Sequence, residues 1–155
     1  MSELNLLVAD DHPLLRAAVV HSLRQGLPQV NVREVASAEA LEQALDQHPD
    51  VDLVLLDLTM PGAHGFSALL HVRGAHPDIP VVILSSNDHP RVIRRAQQFG
   101  AAGFIPKSVP PETIGEAVVI AVGSALLAML AANVGARYAL DSGGFRFAQE
   151  LPERL

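Results

Sequence analysis

The strongest constraint on this chain is a fivefold alternation of apolar runs of strand length with segments of helical period. Leu4 to Ala9, Asn31 to Ala36, Val51 to Asp57, Pro80 to Ser85 and Gly103 to Pro106 read as strands. Three of them are almost wholly apolar, as strands buried on both faces must be. Between them, Leu14, Leu15, Ala18, Val19 and Leu23 form a helical stripe, with Pro13 suited to its first turn. Leu41, Ala44 and Leu45 mark a second helix with Ser37 as N-cap. Phe66, Leu69 and Leu70 give a third, Val92, Ile93, Ala96 and Phe99 a fourth ended by Gly100, and a fifth starts near Pro111.

Strict β/α alternation implies an α/β fold, a doubly wound five-stranded parallel sheet with helices on both faces. The common strand order for five such units is 2-1-3-4-5, with the ligand site outside the carboxyl ends of the strands. Pro106 agrees, because the fifth strand is then an edge that tolerates a missing N–H donor. With 155 residues, the chain holds one domain and an appendage.

That order brings a particular set of polar residues to one crevice. Asp10 and Asp11 follow the first strand, Asp57 ends the third, Ser85 ends the fourth and Lys107 follows the fifth. Clustered carboxylates repel by roughly 4 kcal/mol per pair at 4 Å and an effective dielectric of 20, so they need a cation. Oxygen donors without a thiol favour Mg²⁺, which takes one or two carboxylates, waters and a phosphate oxygen. Phosphoryl transfer asks chiefly for positioning and charge neutralisation. The expected roles are Asp57 as nucleophile, Asp10 and Asp11 as metal holders, Lys107 as partner of a phosphoryl oxygen and the Ser85 hydroxyl as donor to another.

The segments VADDHPLLR, LVLLDLTMPGAHG, VVILSS and GAAGFIPKS resemble the receiver domain of bacterial response regulators, over about residues 4 to 122. The DD pair, D-x-x-M-P-G and the lysine after the fifth strand are specific only jointly. DDHP and GAAGFIPKS are more similar to the subfamily that carries a LuxR/NarL-type helix-turn-helix. The resemblance implies a flavodoxin-like fold and a signalling role rather than a classical enzyme's. It implies a sensor histidine kinase as phosphoryl donor and a rearrangement around the fourth and fifth strands as the signal. It also makes Ser85 the switch hydroxyl, Phe104 the aromatic whose rotamer responds, and the backbone carbonyl of Thr59 a further metal ligand beside Asp10, Asp11 and Asp57. Two departures stand out: the switch hydroxyl is more often Thr, and Lys107 is followed by Ser108 where many receivers have Pro.

Other classes fit less well. A haloacid-dehalogenase-type phosphatase places a second Asp two residues after its nucleophile, where this chain has Thr59. A flavin protein of this topology needs a phosphate-cradling loop after the first strand, where two acids stand. The seven histidines, His12 among them, show no paired-ligand motif and are expected in turns or at the surface.

A net charge of −6 excludes these residues as a nucleic-acid interface in themselves. No cysteine is present and no secretory signal opens the chain, so a cytoplasmic location is expected. Residues 117–136 carry no charge and are long enough to span a bilayer. Their many alanines and interrupting polar residues favour a buried or dimer-forming helix over a membrane segment. The expected division is a receiver domain over 1–122, an extension of the fifth helix or dimer-packing segment over 123–136, and a linker over 137–155. That linker is expected to precede a helix-turn-helix domain absent from this chain, through which DNA would be bound. The alternative is a stand-alone receiver acting by protein contact or phosphorelay.

Overall fold

The computed structural model describes residues 4–27 and 29–118. Nine elements alternate: β1 (Leu4–Ala9), α1 (Pro13–Gly26), β2 (Val30–Val35), α2 (Ala38–Gln47), β3 (Leu53–Asp57), α3 (Ser67–Ala75), β4 (Val81–Ser85), α4 (Pro90–Gln98) and β5 (Gly103–Pro106). Residues 111–118 are helical and are called α5 here. The expected division at 122, the dimer-packing segment and the linker lie outside the described residues.

The five strands form one parallel sheet in the order β2-β1-β3-β4-β5. Side-chain alternation sends the two sets of strand residues to two separate cores. Leu7, Ala9, Val54, Leu56, Val81, Ile83 and Phe104 pack under α2, α3 and α4, and Leu6, Val8, Leu53, Leu55, Val82, Leu84 and Ile105 pack under α1 and α5. Both β3 and β4 are buried along their whole length, which explains their uninterrupted apolar sequence. Each such Leu, Ile or Val contributes roughly 1.5–3 kcal/mol by leaving water.

The helix ends follow local chemistry. Ser37 Oγ accepts from the Ala40 backbone N–H at 3.1 Å, and Pro13 opens α1. Gly100, at φ 95°, ends α4: its N–H donates to Gln97 and that of Ala101 to Ala96, the paired bonds of a Schellman turn.

Three expectations need correction. Leu14 is 88% exposed, and the buried residues of α1 are Val19, Val20 and Leu23. Leu14 occupies the first turn of α1, where none of the described residues covers it. Leu70 is also 47% exposed, so α3 buries Ala68, Leu69 and Val72 instead. Finally, β3 begins at Leu53, after a turn at Pro49 and Asp50, and the Asp52 N–H before it donates to the Asn5 carbonyl at 2.7 Å.

Candidate functional site

The carboxyl ends of β1, β3, β4 and β5 meet at one acidic pocket. Asp57 is the last residue of β3 and is fully buried. Its Oδ1 accepts from the Thr59 backbone N–H at 3.0 Å and from the Thr59 hydroxyl at 2.9 Å. Its Oδ2 is buried and accepts no hydrogen bond, although Lys107 Nζ stands 3.1 Å away at ion-pair distance. Thr59 thus fixes the carboxylate plane and leaves one oxygen aimed into the pocket.

The loop after Asp57 is pinned on its far side. Met60 is buried in the core, the Pro61 carbonyl accepts from Ala38 at the start of α2, and Gly62 adopts φ 79°. These contacts give the M-P-G spacing a physical purpose: an apolar anchor, an acceptor for an otherwise unpaired helix N–H, and a left-handed turn.

Asp10 is also fully buried. Its backbone N–H donates to Val35 at 3.0 Å, and its carbonyl accepts from Arg16, which also pairs with Glu34 at 3.0 Å. Asp10 Oδ1 accepts from the His12 backbone N–H at 2.8 Å, while Oδ2 accepts no hydrogen bond and lies 3.3 Å from Lys107 Nζ. Asp11 is partly exposed, with a buried Oδ1 that likewise accepts none.

Three buried carboxylate oxygens that accept no hydrogen bond, from Asp10, Asp11 and Asp57, therefore face the same space, and the single Lys107 ammonium is shared between those of Asp10 and Asp57. Three carboxylates against one ammonium leave an excess of negative charge, which costs free energy in a buried pocket unless a further cation meets it. One ligand atom from each of Asp10, Asp11, His12 and Asp57 lies within 4.8 Å of the others, close enough to hold one ion. Hard oxygen donors of this kind suit Mg²⁺.

Ser85 and Lys107 complete the rim. Ser85 is buried and its Oγ accepts from the Asn87 backbone N–H at 3.1 Å. Its carbonyl accepts from the Lys107 backbone N–H at 2.8 Å, which sets the lysine beside the acids even though Ser108 follows it. Phe104 is fully buried in the core under α3 and α4, on the same sheet face as Ser85.

His12 was not expected here. Its Nδ1 lies 2.8 Å from Asp10 Oδ1, 3.2 Å from Asp11 Oδ1, 3.7 Å from Asp57 Oδ2 and 3.0 Å from Lys107 Nζ. The only sequence signal was its place directly after the two acids at a strand end, where the chain turns across the pocket mouth.

Known proteins resemble this chain over the described domain. Residues 6–119 match the response regulator receiver domain. The chain is 42% identical over 113 residues to the glycerol metabolism activator of Pseudomonas putida, covering 73% of this chain and 51% of that protein. It is 38% identical over 119 residues to the probable transcriptional regulatory protein NarL of Mycobacterium tuberculosis, covering 76% and 54%. The chain thus spans about half the length of these curated relatives. The solved signal receiver domain of the putative response regulator NarL from Mycobacterium tuberculosis superposes with a TM-score of 0.70 at 33% identity, covering 79% of this chain and 98% of that one.

Proposed function

The chain belongs to the response regulator receiver domain family, and on that premise we propose that Asp57 takes a phosphoryl group from a sensor histidine kinase. The phosphorylated domain would switch the output of a NarL/LuxR-type transcription regulator. One observation carries the reading: a fully buried aspartate at a strand end, held through one oxygen by Thr59, offers its unbonded oxygen to a pocket shared with Lys107.

In the proposed transfer, Asp57 Oδ2 attacks phosphorus as the P–N bond to the donor imidazole breaks, leaving an acyl phosphate on Asp57. Asp10, Asp11, Asp57 and the Thr59 carbonyl would hold Mg²⁺. When bound, the ion supplies positive charge against the acids and the phosphoryl oxygens. Lys107, already 3.1 Å from Asp57, pairs with a phosphoryl oxygen from the opposite side.

The Ser85 hydroxyl, now accepting from Asn87, turns to donate to another phosphoryl oxygen. Movement of Ser85 would open room on the sheet face it shares with Phe104 and couple the aromatic rotamer to phosphorylation. Serine lacks the methyl that restricts the rotamers of threonine, so this switch would start from a looser hydroxyl.

The domain would act as a signalling element that assists its own phosphorylation rather than as a turnover enzyme. DNA binding is assigned to a helix-turn-helix domain beyond this chain, in keeping with relatives of which the match covers 51% and 54%. No described helix is long and apolar enough to cross a membrane.

Incubation with acetyl phosphate tests the proposal. Intact mass should rise by one phosphoryl group with Mg²⁺ and remain unchanged with a chelator, and Asp57→Asn should abolish the gain. A gain that survives the substitution refutes the assignment.

A further inference from the structure

Arg16 has no task in the proposed transfer, yet both ends of the turn from Asp10 to His12 are tied to it. Its backbone N–H donates to the His12 carbonyl at 2.9 Å, and its Nη1 donates to the Asp10 carbonyl at 2.7 Å. Its Nε donates to Glu34 Oε1 at 3.0 Å, on the neighbouring strand β2, and its side chain is only 21% exposed.

We propose that Arg16 is a positioning residue for the phosphoryl site. Through the Asp10 carbonyl it fixes the peptide plane that joins the two acids, and so holds Asp11 where it shares one Mg²⁺ with Asp10 and Asp57. This role rests on the receiver reading for the ion, whereas the contacts of Arg16 stand without it.

The Asp10 carbonyl belongs to the planar peptide whose other end is the Asp11 N–H. The peptide before it is set by the sheet, since the Asp10 N–H donates to the Val35 carbonyl at 3.0 Å. Beyond that point the β1–β2 register has ended, at Ala9 against Val35. The next peptide is oriented by the guanidinium instead. Packing secures the fully buried Asp10, but Asp11 is partly exposed and takes its direction from this peptide.

Glu34 keeps the guanidinium in one orientation. A half-exposed ion pair of this kind adds little to stability, so its effect is mainly geometric. Anchored at Nε, the planar fork presents Nη1 to the carbonyl at a fixed angle, which a lysine ammonium does not reproduce. The bond it makes is short and charge-assisted.

Position and charge predict opposite signs. Arg16 is itself a cation on the acid-bearing turn, so loss of its charge alone should tighten binding of a second cation. Loss of its hold on the turn should weaken that binding. Arg73 supplies a matched control: its Nη1 donates to the carbonyls of Pro77 at 2.9 Å and Ile79 at 3.2 Å, just before β4 and so at the sheet end opposite the pocket. Arg73→Ala therefore loses the same charge and the same kind of bond.

The test uses the 155-residue chain as wild type, Arg16→Ala, Arg16→Lys and Arg73→Ala. Mg²⁺ affinity is measured by titration calorimetry, stability by thermal melts, and labelling of Asp57 by intact mass with acetyl phosphate at low and saturating Mg²⁺. Arg16→Ala should weaken Mg²⁺ about tenfold, the scale of losing an outer-shell partner at a metal site. Arg16→Lys keeps the charge and a donor but not the fork, and should weaken it about threefold. Arg73→Ala should melt earlier yet bind Mg²⁺ within about twofold of wild type, as a distant site does. Labelling of Arg16→Ala should be slow at low Mg²⁺ and recover most of the wild-type rate at saturation.

Wild-type or tighter Mg²⁺ binding by Arg16→Ala would overturn the proposal, as would an equal loss in Arg73→Ala. If Arg16→Ala does not fold, Arg16→Lys decides: weakened binding supports the role and wild-type affinity overturns it. A wild type that binds Mg²⁺ and gains phosphate on Asp57, with Arg16 variants that match it, removes this role alone. A wild type that neither binds Mg²⁺ nor gains phosphate removes the receiver reading and this role with it.

Discussion

Replacing Asp57 by Asn should make the metal-free protein more stable, although it removes the most functional side chain in the pocket. The ligand atoms of Asp10, Asp11 and Asp57 lie within 4.8 Å of one another. At an effective dielectric of 20 each like-charged pair at that separation costs roughly 3 kcal/mol. Asp57 takes part in two such pairs, and the one with Asp11 is reduced because that side chain is 32% exposed. Against this stands the attraction of Asp57 to Lys107 at 3.1 Å, about 5 kcal/mol on the same scale.

Asparagine keeps an oxygen for both Thr59 donors, so the loop contacts survive. These charge terms nearly cancel, and asparagine avoids burying the fully enclosed Asp57 charge, which tips the balance to a gain of roughly 1 kcal/mol without metal, or about 4 °C in Tm. Mg²⁺ should then stabilise the wild type more than Asp57→Asn, because the variant has lost a ligand and much of the repulsion that the ion offsets. Thermal melts of both proteins in chelator and in Mg²⁺ read this directly. A variant that melts below wild type in chelator, or that gains as much from Mg²⁺ as wild type, would refute the repulsive-pocket reasoning.

Further outcomes follow from the same coordinates. Lys107→Ala leaves the fully buried Asp10 and Asp57 without their ammonium and should cost about 3–5 kcal/mol in chelator, with part recovered in Mg²⁺, as denaturant melts would show. Ser37→Ala removes the α2 cap and should cost about 1 kcal/mol in the same assay. Gly115→Ala would drive a Cβ into Oγ and Cβ of Ser22 and to 3.1 Å from the Ser22 backbone carbon, so α5 must retreat from α1. Overpacking of this kind costs about 1–3 kcal/mol, and adding Ser22→Gly should restore part of it.

Much of the fold and the chemical site was legible because both depend on patterns repeated along the chain. The uninterrupted apolar runs of β3 and β4 mark strands buried on both faces, and strict alternation marks a parallel sheet whose common order is the one observed. Asp57, Ser85 and Lys107 are visible because they stand at the ends of such runs. Leu14 and Leu70 misled because an apolar residue next to a helical stripe need not share its buried face, which is set by Val19, Val20 and Leu23 in α1 and by Ala68, Leu69 and Val72 in α3.

The place of His12 was hidden for a different reason. Its ring reaches the acids only because Asp10 Oδ1 accepts the His12 backbone N–H and turns the chain over the pocket, a loop geometry without a periodic signature. Burial of Phe104 could not be separated from a switch role by sequence, since an inward aromatic on an edge strand serves a core and a switch alike.

The most direct test of the central claim is to locate the phosphoryl group. After reaction with acetyl phosphate and Mg²⁺, borohydride reduction converts an aspartyl phosphate to homoserine, which peptide mass spectrometry assigns to a position. Homoserine is expected at position 57 alone. Homoserine at position 10 or 11, or none in a chain whose mass has risen, would contradict it.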